Sequence, residues 1–393
     1  MNGDTFFHAL GLQMHQPAGN LRRLIDENPW EAEQIIRCYQ RPLRFVQYYG
    51  DVARLHVGFS GVLLEQLRSP DIIDRYRHLV DLPQLLADYR DNPNIELLGT
   101  GYFHPIFPAI PPADWNEQLT AGRDMMTATF GRQPRGFFPP EMAFSMDMIP
   151  ALVQAGYDYV VVDDTYVHPQ DGVIDPFRPY RACHDGYCVS IVPCDRALSD
   201  AQQSGLDPTW LEHEVRERVA ASPRPHEPRL ISTWCAGENG GWFRQLHEHA
   251  GFFGFYFAPY MERVRSSHYP LRPVLLSEYL GWQRPSCSAR VRASAWDLSH
   301  QARFEFSNWD VTPHQQQIAV IINGLSQRYW GLIGRGAAQL PDLTSELMTA
   351  RRLVLETQTS CYLCWDNAWL SHLEQLIQQA AALLDQLEQR LSV

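Results

Sequence analysis

One layout repeats along the first two thirds of this chain and limits what it can fold into. A short apolar run is followed at once by a polar, Gly/Pro-rich cluster. It appears as "FFHALGLQ" then "MHQPAGN", "IELLGTG" then "YFHPIFP", and "RGFFP" then "PEMAFS". It returns as "YDYVVV" then "DDTYVHP", "CVSIV" then "PCDRALSD", and "RLISTW" then "CAGENGG". Continuous apolar runs bounded by turn formers suit strands buried on both faces. Between them lie helical patterns such as "DLPQLLADYRD", "DWNEQLTAGRDMMTATFG" and "SMDMIPALVQAGY". Strands alternating with helices predict βα units and a parallel sheet. Six or seven units, each with its polar cluster after the strand, favour a closed or nearly closed barrel with those clusters on one rim. An open doubly wound sheet would show the same alternation. No G-x-G-x-x-G follows the first strand, so a dinucleotide fold has no support.

After about residue 265 the texture changes. "LSEYLGWQRPSCSARVRASAWD" is irregular, and helical patterns follow at 313–334, 341–357 and 370–391. In the last, Leu or Ile at 370, 373, 376, 377, 383, 384, 387 and 391 gives an amphipathic helix. The pattern predicts a barrel domain over 1–265 and a helical domain over 266–393, packed on the barrel.

The 393 residues are 45% hydrophobic, ample for a large core, and carry a formal net charge of -12. That charge argues against nucleic acid or anionic lipid as partner. No apolar stretch reaches the ~18–20 residues of a membrane span, and "MNGDTFFHALGLQMHQP" lacks the pattern of a secretory signal. The eight cysteines form no framework and predict reduced thiols in a cytoplasmic protein. "CYLC" at 361–364 is a lone C-x-x-C without a second pair of ligands.

Several polar residues stand where the strands end. His15 lies in "MHQPAGN", with Gln16, Pro17 and Asn20 around it, a composition suited to a hydroxyl-rich ligand. Glu96 sits within an apolar run, so it must be paired or functional; His104 and Pro105 follow in the next loop. Glu141 in "GFFPPEMAFS" is one carboxylate on a proline-stiffened approach among aromatics. That suits a glycosidase nucleophile; a surface ion pair is the plainer alternative. Asp163 and Asp164 end "YVVVDD" and could bind metal, position a substrate, or split into acid and base. Asp195 and Arg196 suit an ion pair. Trp234, Trp242, Trp309, Trp365 and Trp369 are core residues or platforms for sugar rings. A metal hydrolase finds little support: H-E-x-x-H is absent, and His247 and His249 do not share a helix face.

Taken in order, these clusters resemble the motifs of glycoside hydrolase family 57. "HQPAGN" (15–20) is similar to its H-Q-P motif and "ELLGTGYFHPI" (96–106) to its second. "FFPPEMAF" (137–144) resembles the third, whose Glu is the nucleophile, here Glu141. "WCAGENGGWF" (234–243) resembles the fourth, and "LETQTSCYLCWDNAW" (355–369) is the best match to the weak fifth. The resemblance implies an incomplete (β/α)7-type barrel with a C-terminal helical domain. It implies action on α-1,4-glucans or maltooligosaccharides by the retaining route, without metal or cofactor. In that route a second carboxylate, about 5–5.5 Å from the nucleophile, protonates the leaving oxygen. His15 would bind the sugar next to the cut. Glu96, His104, Asp164, Trp234, Glu238 and Trp242 complete the expected substrate-binding set.

One position departs from the family. The acid/base Asp belongs two residues before the Glu of "GEN", and there stands Ala236. A methyl group donates no proton. Three readings follow. A nearby carboxylate (Glu238, Asp163 or Asp164) substitutes; or the protein binds glucan without cutting it; or it cuts only substrates with good leaving groups.

Overall fold

The computed structural model describes residues 6–173, 175–205, 207–223, 229–245, 247, 249–266, 269–296, 309, 312–364 and 367–391. Seven parallel strands follow one another around a barrel. They are β1 (Phe6–Met14), β2 (Leu55–Phe59), β3 (Ile95–Leu98), β4 (Gly136–Phe137), β5 (Tyr159–Asp163), β6 (Tyr187–Cys194) and β7 (Arg229–Ala236). β1 pairs with β2 (Gly11↔His56) and with β7 (Gly11↔Trp234). β2 pairs with β3, and β4 with β5 and onward to β6. Two seams are thin. β3 meets β4 through a bridge at Gly99↔Phe137. β6 meets β7 through the Asp195 amide, which donates to the Ser232 carbonyl at 2.9 Å. The ring is therefore an incomplete (β/α)7-type barrel, as the alternation of strand and helix patterns predicts.

Both strand faces are buried, which explains the continuous apolar runs. Phe138, Tyr159, Val161 and Trp234 share the main core cluster. The alternating residues Phe137, Val160 and Val162 belong to a second cluster with Trp115, Ile149 and Leu152. Six helices matter below: α1 (Pro29–Tyr48), α2 (Pro112–Phe130), α3 (Arg196–Ser204), α4 (Pro313–Gly334), α5 (Thr344–Glu356) and α6 (Asn367–Leu391). α2 stops at Gly131, whose φ of 69° is the left-handed C-cap.

The segment Leu271–Pro273 pairs with the start of β1, and Leu276, Tyr279 and Trp296 join the main barrel cluster. The predicted division at 265 falls inside this packed region. α4, α5 and α6 form clusters of their own. A buried ion pair fastens them to the barrel: Asp114 of α2 and Arg351 of α5 meet at 2.9 Å. Asp114 also accepts from Ser326 (2.7 Å), Trp330 (2.8 Å) and Gln358 (2.5 Å).

The expectation of reduced thiols fails for one pair. Cys183 and Cys188 form a disulfide across the hairpin of Tyr180–His184 and β6. The Asp185–Gly186 turn sets them directly opposite, with Cα atoms 4.1 Å apart. Spacing alone hid this, because the hairpin is an antiparallel excursion from the βα pattern. Cys38, Cys194, Cys235 and Cys361 are buried and form no disulfide among the described residues; the Cys364 side chain lies outside the described residues. No described helix is long and apolar enough to cross a membrane.

Candidate functional site

The site is built upward from the barrel floor. Trp234 is fully buried and stacks on Phe138 at 4.8 Å and 26°. Gly11 makes room for it: a Cβ there would stand 2.2 Å from the indole. The indole N–H donates to Ser232 Oγ at 2.9 Å. Trp234 thus fills the barrel interior beneath the site.

Strand alternation then places the next layer. Ala236 lies two residues beyond Trp234 and faces the same interior side. Its partner on β1 is Gln13. Gln13 is buried, and neither atom of its amide has a hydrogen-bond partner among the described residues. Gly58 leaves space for that amide, since a Cβ would stand 2.3 Å from Oε1. Phe138 leads through Pro139 and Pro140 to Glu141. The Trp234–Phe138 stack therefore underlies Ala236 on the strand of Trp234 and Glu141 in the short turn that follows Phe138.

Glu141 and Met142 both take left-handed backbone conformations, with φ of 53° and 52°. Non-glycine residues pay roughly 1–2 kcal/mol for this. The proline-stiffened turn holds them there, with Met142 N donating to Pro139 O at 2.8 Å. The Glu141 carbonyl also accepts from Trp296 N. The Glu141 side chain keeps a 31% opening to solvent. Burial of the rest pushes its carboxyl up to about 7.

Beside it stand two histidines. His15 and His104 stack with centroids 4.0 Å apart and planes 7° from parallel. His104 has a φ of 59°, and its Nδ1 is 3.9 Å from Glu141 Oε1. Each ring is oriented by a serine: His15 Nδ1 by Ser60 Oγ at 2.7 Å, His104 Nδ1 by Ser360 Oγ at 2.9 Å. Both Nε2 atoms are buried without a hydrogen-bond partner among the described residues. Burial pushes the His104 imidazole down to about 3. Burial, and then His104, hold His15 well below the usual range. Both rings are neutral at physiological pH.

The remaining residues divide. Glu238 is 2% exposed and turns to β1, accepting the His15 amide at 2.7 Å. Its carboxyl is pushed up to about 7 by burial, which Tyr39 and the His15 amide only partly offset. Glu96 is held by groups of the protein itself. It lies near the N-terminal end of β3, where Tyr159 OH (2.7 Å) and Ser277 N (3.0 Å) donate to it. It is the paired case. Trp242 is likewise directed elsewhere: its N–H donates to Gln202 O of α3 at 3.0 Å, and its ring parallels Phe255. Asp164 accepts from Arg196 N at 3.1 Å. Burial, then Asp195 and Asp163, push it up to about 7. Asp163 alternates with Tyr159 and Val161 and so faces the barrel interior, 3.7 Å from Arg196. Trp309 donates to Ser360 O, and Trp369 stacks on Tyr362; Trp365 lies outside the described residues. Gln13, Ser60 and Ser360 are site residues that the motif reading passes over.

A (β/α) barrel with one carboxylate on a left-handed kink, neutral histidines beside it and unmet polar atoms around it has the build of a glycoside hydrolase. Residues 9–214, just over half of the chain, match the family model of Glycosyl hydrolase family 57, and the chain belongs to that family. It is 26% identical over 312 residues to an alpha-amylase of Pyrococcus horikoshii, covering 78% of this chain and 44% of that one. It is 28% identical over 192 residues to a 4-alpha-glucanotransferase of Thermococcus litoralis, covering 48% and 26%. The chain thus spans less than half the length of these curated relatives. Among solved structures, an exo-type maltose-forming amylase from Pyrococcus sp. ST04 superposes with a TM-score of 0.73 at 13% identity, over 99% of this chain and 81% of that one. A GH57-type branching enzyme from Pyrococcus horikoshii gives 0.69 at 14% identity, over 99% and 95%. These structural likenesses carry the fold.

Proposed function

We propose that this protein recognises α-1,4-glucans at the C-terminal rim of the barrel, with Glu141 as the nucleophile of a retaining reaction wherever it turns over. The observation that carries this reading is the grouping of Glu141 with His15 and His104 above the Trp234–Phe138 stack. Orphaned polar atoms of Gln13, His15 and His104 are suited to sugar hydroxyls. Glu141 attacks the anomeric carbon and forms a covalent glycosyl-enzyme, which passes to water or to another sugar. The half of that chemistry supplied by general acid is missing, because the interior-facing position on β7 is Ala236. General acid–base help is worth typically ~10²–10⁴-fold. Bonds with poor leaving groups are therefore cut slowly, and those with good leaving groups are favoured.

A second reading, a glucan-binding protein without turnover, rests on Glu238. One oxygen of that carboxylate, two residues past Ala236, accepts the His15 amide, which supports a structural task for Glu238 and not that of the missing acid. Product analysis on maltoheptaose separates the two, with Ala236→Asp assayed beside the natural sequence. Shorter or longer maltooligosaccharides from the natural sequence mean that another group supplies the proton, and Asp163 is the first to substitute. Activity only in Ala236→Asp means an intact site disarmed at one residue. Failure of both to bind or convert the glucan sinks the glucan reading.

A further inference from the structure

The fold brings Cys361 beside residues far from it in sequence. One donor atom each from His15, His104 and Cys361 lies within 4.8 Å of the others, and all three residues are buried. They arrive from β1, the loop after β3, and the segment after α5, so no local motif announces them.

Three features make this more than a chance cluster. Ser60 and Ser360 engage the Nδ1 atoms, which leaves each Nε2 uncommitted. Metal-binding histidines use this arrangement, in which the second ring nitrogen is held by an outer partner. Burying a polar atom without a partner is unfavourable, so two such nitrogens at one place favour an occupant. A sugar hydroxyl would satisfy the imidazoles, but a thiol is a weak partner for hydroxyls. Two imidazoles and a thiol instead make the donor set of a thiophilic cation.

We propose that His15, His104 and Cys361 form a binding site for Zn2+ or a cation of similar softness, and that ion and glucan exclude one another there. The exclusion rests on the glucan reading; the metal site does not. The rings stand parallel in the structure, so coordination turns each about its final torsion, which is soft. The serine hydroxyls rotate with them. Cys361 binds as thiolate, and its proton leaves to solvent.

The test uses the full chain, stripped with chelator and dialysed. Zn2+ is titrated by calorimetry in buffers of different ionisation enthalpy, and Co2+ by absorbance. One ion per chain, proton release, and a thiolate-to-cobalt charge-transfer band are expected. Cys361→Ser should lose the band and bind at least tenfold more weakly, as should His104→Gln. Absence of the band in the natural chain, or affinity unchanged in both variants, overturns the proposal. If either variant fails to fold, the band in the natural chain decides. Exclusion is read separately, as maltoheptaose binding to the stripped protein that is lost on adding zinc. Maltoheptaose bound equally well with zinc in place overturns the exclusion. No maltoheptaose binding in either state defeats the glucan reading and leaves the metal titration to stand alone.

Discussion

Trp234 and Phe138 stack at 4.8 Å inside the barrel; Ala236 follows on the strand of Trp234, and Glu141 stands in the short turn that follows Phe138. The stack sets the height and separation of the two positions that a retaining mechanism uses. Removing it empties a large closed space. Trp234→Ala is expected to cost about 3–5 kcal/mol, the usual range for a buried aromatic. Chemical denaturation reads this as a lower midpoint. A loss under about 1 kcal/mol would mean that the barrel interior collapses freely around the gap, against the close packing described.

The same stack makes a demand on β1. A methyl group at Gly11 would meet the indole at 2.2 Å, a contact that cannot stand. Gly11→Ala is therefore expected to destabilise by about 1–3 kcal/mol through overpacking. Adding Trp234→Phe to Gly11→Ala should recover part of the loss. Additive costs in the double-mutant cycle would show that the two positions do not share space.

How much of this was legible in the sequence differs by residue. Glu141 was, because a lone carboxylate after Pro139 and Pro140 at a strand end is locally unusual. The strand Leu55–Phe59 was harder, because Ser60 and Gly61 lead straight into a helix and not into a Gly/Pro-rich loop. Glu96 and Trp234 show the limit of a strand pattern: it gives the face but not the height within the barrel. Glu96 sits at the closed lower end, and Trp234 fills the middle. Ser60 and Ser360 lie 45 and 256 residues from the histidines they orient, so no window contains both. Gln13 carried a usable signal, a polar residue in a buried run two places before His15. The argument applied to Glu96 would have found it.

Glu238 leads to a pH prediction. Its carboxyl is raised from the ordinary 4.5 to about 7, chiefly by burial. Between those values the folded protein holds a proton that the unfolded chain has released, so stability falls as pH rises through this window. The melting temperature should therefore rise when the pH is lowered from 8 to 5.5. A shift of this size is on the order of 3 kcal/mol for one buried group. Glu238→Gln, which keeps an oxygen for the His15 amide, should flatten the slope. An unchanged slope in Glu238→Gln would assign the dependence to Glu141 and Asp164, which are raised as well.

Asp114 and Arg351 join the barrel to the helical region, with side chains 0% and 4% exposed. Asp114→Ala leaves three donors without their acceptor and Arg351 with Glu117 as its only carboxylate partner among the described residues. The expected cost is about 3–5 kcal/mol, the range for breaking a buried pair. The effect should also reach the site, because Gln358 donates to Asp114 and Ser360 two residues on holds His104. Hydrogen exchange should rise in 357–360 and around His104 before the barrel strands open. Loosening confined to α4 and α6 would mean that the helical region does not support the site.

Ala236 offers the most direct chemical test. Alanine is shorter than the carboxylate the family motif has at this position, and Ala236 is only partly covered at the rim. A small anion entering there supplies what the side chain lacks. Formate can act as a diffusible acid/base, and azide can attack the glycosyl-enzyme from the face that the missing group served. With an activated aryl α-glucoside, whose leaving group needs little protonation, the first step proceeds by Glu141 alone and the second becomes limiting. Added azide should then raise turnover by about 10-fold or more, within the range assigned to general catalysis, and yield an α-glucosyl azide. That product retains configuration because two displacements have occurred. Glu141→Gln should abolish both turnover and rescue. Azide without effect on a protein that still binds maltoheptaose would mean that the space beside Ala236 is closed to small anions, and the glucan-binding reading would then stand over turnover.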